Sequence, residues 1–343
     1  MAEQWRATVQ KHGCLIAIAA CLLAAGCSRG LEGVGAGVSS DEDAARCISL
    51  VSGAGRNFQA HETSHFMVVS AVDSATAAAA GKFLDQVADR FYCSFSRAGF
   101  SLKPPPDKLI CVMLDSYADL DAYGRTADGV EASWMDGYYS YHTNRIAVVQ
   151  FEAAARPAVS RVRTSGDRAA YAYSSASPAA DDGPKLTTIT HELAHQLAFN
   201  SGLQRRDTVY PFWLTEGLAA NFEADGTGSY GLGQQVSRYR GRLGQAKAGG
   251  RLIPMERFLD MTDAPSGSQQ AIRDAYAQAW GLFNYLLARR RGDLRNYMAG
   301  LGPRSALGGP SLKREFAAAF GPIDALEKDY LSFINGLAAR EAR

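Results

Sequence analysis

The chain has 343 residues, with 36 basic against 35 acidic side chains, and 47% of its residues are hydrophobic. That length can bury a sizeable core in one large domain or two. The balanced charge argues against a nucleic-acid binder, and the apolar content argues against wholesale disorder.

The N-terminus has the layout of an export signal. Arg6 and Lys11 precede a short apolar run from Cys14 to Ala25, and the small residues Gly26 and Cys27 follow. The run Leu23-Ala24-Ala25-Gly26-Cys27 resembles the lipid-attachment box of bacterial lipoproteins, with Leu23 one place further from the cysteine than in the commonest form. That resemblance implies a signal peptide over 1–26, lipidation of Cys27, and membrane attachment through that lipid in the bacterial cell envelope. By the same resemblance Ser28 favours the outer membrane. Ordinary signal cleavage nearby, giving a secreted or periplasmic protein, is the alternative. No other stretch reaches the length of a membrane span. Cys47, Cys93 and Cys111 then remain, which permits one disulfide and a spare with no pairing preferred. No Cys-x-x-Cys pair exists, so cysteine ligation of a metal is not expected.

Residues 27–61, rich in Gly, Ala and Ser with acids at Asp41, Glu42 and Asp43, read as a flexible linker. An α/β layer is expected over 62–152. Phe66–Ser70 reads as a buried strand, Ser74–Arg97 as a helix with a core stripe of Phe83, Val87, Phe91 and Phe95, and Leu109–Leu114 as a second strand. Tyr117–Tyr123 reads as a short helix. Segments 137–142 and 145–151 read as two strands turning at Thr143 and Asn144. Residues 153–184 lack periodicity and read as a mobile loop, with Arg156, Arg161, Arg163 and Arg168 on a solvated face.

From 185 onward the chain is expected to be mainly helical. Leu186, Ile189, Leu193 and Leu197 form an apolar stripe, and His191 and His195 lie roughly opposite it. His191-Glu192-Leu193-Ala194-His195 is the H-E-x-x-H pattern: two imidazoles one helical turn apart can share a zinc ion, and the glutamate can serve as a general base. A catalytic zinc needs a third protein ligand and an open position for water. No histidine follows His195, so a carboxylate must serve. Glu216, in Trp213-Leu214-Thr215-Glu216-Gly217-Leu218-Ala219, comes after twenty intervening residues. Gly217 beside it allows a close helix approach. A solvent-exposed glutamate on an amphipathic helix is the plainer alternative. Glu223, two helical turns further on, is about 10 Å along the axis and too far to share the ion. It is read as a second-shell group supporting a ligand, or as exposed surface. Tyr276 opens a long helix, Tyr276-Ala277-Gln278-Ala279-Trp280, whose apolar stripe alone could account for it. It is also a candidate hydroxyl donor to an oxyanion. Leu312–Phe320 and Asp324–Ala339 read as two further structural helices.

A His-Glu-x-x-His helix followed at this distance by a helical glutamate resembles the gluzincin metallopeptidases, such as thermolysin and the aminopeptidases. In the aminopeptidase branch a tyrosine some sixty-odd residues past the glutamate serves the oxyanion, and Tyr276 stands sixty past Glu216. Together these motifs resemble the bacterial DUF1570-type, peptidase-MA-like proteins over roughly residues 62–340. The resemblance implies an α+β zincin-like fold, with a small mixed α/β N-terminal layer, a mainly α-helical C-terminal portion (185–343) and an active-site cleft between them. It implies one Zn2+ per chain on His191, His195 and Glu216, catalysis by Glu192 with Tyr276, and a peptide or protein substrate pairing along an edge strand at Arg145–Val149. The expected function is a zinc metallopeptidase, with endopeptidase action favoured because no anionic clamp for a free amino terminus is found. A catalytically silent envelope binding or scaffold protein, or a zinc hydrolase of a non-protein substrate, are the alternatives.

Overall fold

The run Leu109-Ile110-Cys111-Val112-Met113-Leu114 is buried along its whole length, as a central parallel strand covered on both faces must be. It anchors a small sheet in a chain that is otherwise mainly helical. The computed structural model describes residues 39–51, 57–133, 135–150, 158–162, 170–174, 186–224, 229–233, 237–303 and 311–339. The export signal, Cys27 and most of 153–184 lie outside the described residues. In chain order the elements begin with α1 (Ser40–Val51), β1 (Gln59–Glu62), β2 (Phe66–Ser70), α2 (Ser74–Arg97) and β3 (Leu109–Leu114). Next come α3 (Tyr117–Tyr123), a π-helical turn (Gly124–Asp128), β4 (Gly137–Ser140), β5 (Arg145–Val149), β6 (Ala158–Val162) and β7 (Ala170–Ser174). The remainder is α4 (Leu186–Asn200), α5 (Phe212–Ala220), α6 (Ser237–Ala248), α7 (Met255–Phe258), α8 (Gln269–Arg289), α9 (Arg291–Gly300), α10 (Leu312–Phe320) and α11 (Ile323–Ala339).

Two compact units are distinguished. The first comprises Met1–Gln86, Pro106–Arg156 and Ser177–Glu192, the second Val87–Pro105, Pro157–Ala176 and Leu193–Arg343. In the first, the five-stranded sheet has the order β1-β2-β3-β5-β4. The three central strands are parallel, and β1 and β4 run antiparallel at the margins. Met67 and Val69, Ile110, Val112 and Leu114, and Ala147 and Val149 share one face with Ala44, Cys47 and Val51 of α1. Alternate residues of the central strands, Val68, Cys111 and Val148 among them, are buried on the other face.

Helix α1 corrects the reading of 27–61 as a tether throughout. Ser39 and Glu42 form a reciprocal capping box, with Ser39 Oγ accepting from Glu42 N (3.3 Å) and Glu42 Oε2 from Ser39 N (3.1 Å). Arg145, at the start of β5, grips Asp43 in a partly buried ion pair, and Ala44, Cys47 and Val51 supply the apolar stripe. Strand β1 is likewise earlier than expected. Inside 153–184, β6 and β7 form a two-stranded antiparallel ribbon, so that segment is not structureless. Cys47, Cys93 and Cys111 are all free thiols. Burial pushes Cys47 up to about 11, against the opposing charge of Arg145, and pushes Cys111 up to about 12.

The second unit is built around α8, which is buried from Asp274 to Leu287. Helix α5 runs parallel to it: Phe212 meets Tyr276, Gly217 meets Ala279, and Asn221 meets Asn284. The approach is so close that a Cβ on Gly217 would lie 2.5 Å from the Ala279 carbonyl oxygen and 2.9 Å from Phe283 Cβ. Below it Asn221 Nδ2 donates to the Gly217 and Trp280 carbonyls, both at 2.8 Å. Asp274 receives Arg242 Nε at 2.7 Å and Arg251 Nε at 2.8 Å, which fastens α6 and the segment after it to α8. Trp213 stacks on Tyr297 of α9 and meets Phe316 of α10 edge-on.

Gly217→Ala should therefore lower unfolding free energy by about 1–3 kcal/mol through overpacking. Gly244→Ala, on α6 with nothing within 4 Å of its would-be Cβ, should instead raise it by about 0.5–1 kcal/mol. Urea denaturation of both variants beside wild type measures the opposite signs.

Candidate metal centre

Helix α4 carries the His-Glu-x-x-His sequence and is buried almost all round. Ile189, Leu193 and Leu197 form the expected apolar stripe. The polar side is buried too, because Thr190, His191, Glu192, His195 and Gln196 are all inaccessible. This differs from the two-faced helix expected from the sequence, and it means each polar side chain must find a partner inside the protein. Thr190 does so within its own helix, its Oγ1 donating to the Leu186 carbonyl at 2.8 Å.

His191 and His195, one turn apart on α4, converge with Glu216 of α5. One ligand atom from each of the three lies within 4.8 Å of the others. His195 Nε2 stands 3.7 Å from Glu216 Oε2. All three are buried, Glu216 at 5% exposure, which removes the reading of Glu216 as a surface glutamate. Two imidazoles and a carboxylate form a donor set that suits a divalent ion with one position left open. Gly217 gives a local reason for the placement, since the missing side chain lets the α5 backbone press against α8.

Glu192 lies between the two histidines in sequence but turns to the sheet. Its Oε2 accepts a hydrogen bond from Tyr139 N, on β4, at 2.9 Å. In an antiparallel pair alternate residues aim their N–H and C=O away from the partner strand, and Tyr139 is such a residue on the marginal strand. The edge is therefore β4. This corrects the expectation that Arg145–Val149 is the edge strand: β5 is paired on one side with β3 and on the other with β4. Asp128, closing the π-helical turn, holds the hairpin by accepting from Tyr138 Oη and Thr143 Oγ1, both at 2.7 Å. Asn144 turns the hairpin with φ 58°, as its position in the sequence suggested.

Glu223 is fully buried and lies past the end of α5, which caps at Asn221. It is therefore neither exposed surface nor a continuation of the helix by two turns. Its carboxylate accepts from Tyr239 Oη at 2.8 Å and pairs with Arg238. Tyr239 stacks on Trp280 with ring centroids 6.1 Å apart. Burial raises the Tyr239 phenol, Arg238 opposes that, and the charge of Glu216 adds to it. Tyr239 thus links the Glu223 carboxylate to the surroundings of Glu216, and it is the residue that sequence reasoning missed. Its surroundings, Arg238-Tyr239-Arg240 on a polar helix, carry no motif. Tyr276 is buried on α8 with its ring edge-on to Phe212. Glu223 and Tyr276 are not among the three convergent ligand residues.

Residues 185–307 match the family model described as "Protein of unknown function (DUF1570)", and over that stretch the match supports the DUF1570 family. No curated protein matches the chain. Equilibrium dialysis against divalent metal ions, Zn2+ among them, should find about one ion per chain for a single three-ligand site. His195→Ala and Glu216→Ala should weaken binding by more than the roughly 10–100-fold that loss of an outer partner costs. Tyr239→Phe should retain the ion but lose about 1–3 kcal/mol of stability, since the buried Glu223 carboxylate then loses one of its hydrogen-bond donors.

Proposed function

We propose that the chain is a zinc-dependent peptidase of the gluzincin type. The observation that carries this reading is the buried convergence of His191, His195 and Glu216 on helices that also hold Glu192 against the edge strand. His191 and His195 would hold zinc through imidazole nitrogens and Glu216 through a carboxylate oxygen. Bound zinc supplies a Lewis acid that polarises a carbonyl and acidifies water. Glu192 takes the proton of the attacking water and passes it to the leaving amine, so one water is consumed and the C–N bond breaks.

Burial suits Glu192 to this work, because a carboxylate kept from bulk water exchanges its proton with the reactants. The Tyr139 N–H steadies one carboxylate oxygen and so orients the group. An extended peptide would pair with the outward-facing backbone groups of β4 other than the Tyr139 N–H, which Glu192 holds. Tyr276 is assigned as hydroxyl donor to the oxyanion, on the spacing expected from the sequence. The proposed location is the bacterial cell envelope, anchored by lipid at Cys27. Among the described residues no helix is long and apolar enough to cross a membrane.

The test is hydrolysis of a mixed peptide library by the zinc-loaded chain. Glu192→Gln should keep the metal and lower kcat by about 10²–10⁴-fold. Tyr276→Phe should lower kcat by about 10²–10³-fold, the cost of one oxyanion donor. A wild type that holds zinc and cleaves nothing, with Glu192→Gln indistinguishable from it, overturns the peptidase reading. Full turnover by Tyr276→Phe overturns the oxyanion assignment alone.

A further inference from the structure

The C-terminal half of α2 has a polar face of its own in the helical unit. Arg90, Cys93 and Arg97, spaced three and four apart, stand on one side of the helix. With Arg291, Leu232 and Leu287 they line an open concavity of about 690 Å³. Two of the arginines are held in place by neighbouring groups. The Arg90 guanidinium lies 6.0 Å over the Tyr230 ring, and Arg291 Nε donates to the Leu287 carbonyl at 3.3 Å.

These three cations lack, among the described residues, the carboxylate partners that several other arginines of their unit have. Arg238, Arg242 and Arg251 each engage a buried carboxylate, and Arg205 and Arg290 pair with neighbouring aspartates. Among the described residues no carboxylate pairs with Arg90, Arg97 or Arg291. Uncompensated charge of one sign at a concave wall focuses the field and concentrates anions. Guanidinium forks match the oxygens of a phosphate group, and a cluster of three suits a group with more than one negative charge. Leu232 and Leu287 add an apolar patch to the same wall. The volume falls within the range of small-molecule sites, roughly 300–1,000 Å³.

We propose that this concavity binds an amphiphilic phosphate ester, with Arg90, Arg97 and Arg291 on the phosphate and Leu232 and Leu287 against its apolar portion. The ester comes either from a membrane phospholipid headgroup or from a soluble organic phosphate. The site is independent of the metal centre, and its test needs no enzymatic activity.

Cys93 is an exposed thiol in the wall, whereas Cys47 and Cys111 are buried, so its alkylation reports occupancy. The rate of N-ethylmaleimide attachment at Cys93 is followed by peptide mass spectrometry on the full chain. The probes are monomeric dihexanoyl phosphatidic acid, dihexanoyl phosphatidylcholine, inorganic phosphate and glucose 6-phosphate. At five times its Kd, phosphatidic acid should slow alkylation about sixfold by mass action, and added salt should reduce the protection. Phosphatidylcholine, which has no net charge, should protect far less. The triple variant Arg90→Gln/Arg97→Gln/Arg291→Gln should lose the protection, and each single variant, a check against misfolding of the triple, should lose part of it. Leu232→Ser should weaken phosphatidic acid more than inorganic phosphate. Flotation with vesicles that contain phosphatidic acid, and not with phosphatidylcholine vesicles, marks a membrane headgroup as the source, and protection by glucose 6-phosphate without flotation marks a soluble ester. Absence of protection by every probe, or protection that survives in the triple variant, overturns the site. Equal affinity for inorganic phosphate and phosphatidic acid overturns the amphiphilic assignment.

Discussion

Burying ionisable groups without leaving them unpaired is the constraint on which the helical part of this protein rests. Glu216, Glu223 and Asp274 are all inaccessible, and an isolated carboxylate in such surroundings costs many kcal/mol unless it is paired or neutralised. Each has an identifiable answer. Asp274 takes two arginines, Glu223 takes a tyrosine hydroxyl and an arginine, and Glu216 faces His195. The first two arrangements are closed within the protein. The third brings together two imidazoles and a carboxylate, a group that could hold a metal ion. The arginine partners reach solvent, Arg238 at 39% and Arg251 at 37% exposure, so these pairs satisfy the buried carboxylates more than they add net stability.

Close packing and polar placement depend on each other here. Gly217 lets α5 press against the α8 backbone, and Asn221 then spans the two helices with hydrogen bonds to Gly217, Trp280 and Asn284. The rotation of α5 about its axis is thereby set, and with it the direction of Glu216. Gly281 repeats the device further along α8, where a Cβ would meet Leu243 of α6 and Tyr330 of α11. Small residues at helix crossings thus decide where the large and charged ones point.

Much of the candidate metal centre was legible in the sequence because its logic is local. A four-residue spacing sets two imidazoles on one side of a helix, and the lack of any later histidine leaves a carboxylate as third ligand. The burial of Glu216 and the tight seat of Gly217 agree with that reasoning. The edge strand was misplaced because strand order depends on pairing between distant segments, and β5 is as apolar as an edge strand could be while lying inside the sheet. Helix α1 had its signal in Ser39 and Glu42 with Ala44, Cys47 and Val51 following. Local composition outweighed that signal, since Arg145, which grips Asp43, lies 102 residues away. Tyr239 and the Tyr139 amide had none, because a backbone N–H acquires a role only through the register of its strand.

The margins of the sheet have a consequence for behaviour in crowded solution. An open sheet edge invites another chain to extend it, and proteins blunt that hazard by keeping marginal strands short or occupying their backbone groups. Both margins here are four-residue strands, and the outward amide of Tyr139 is already engaged by a side chain. The Glu192 carboxylate is thus also a stopper against fibril-like stacking. Brevity guards the β1 margin, and at β4 brevity is joined by a side chain that occupies an outward amide.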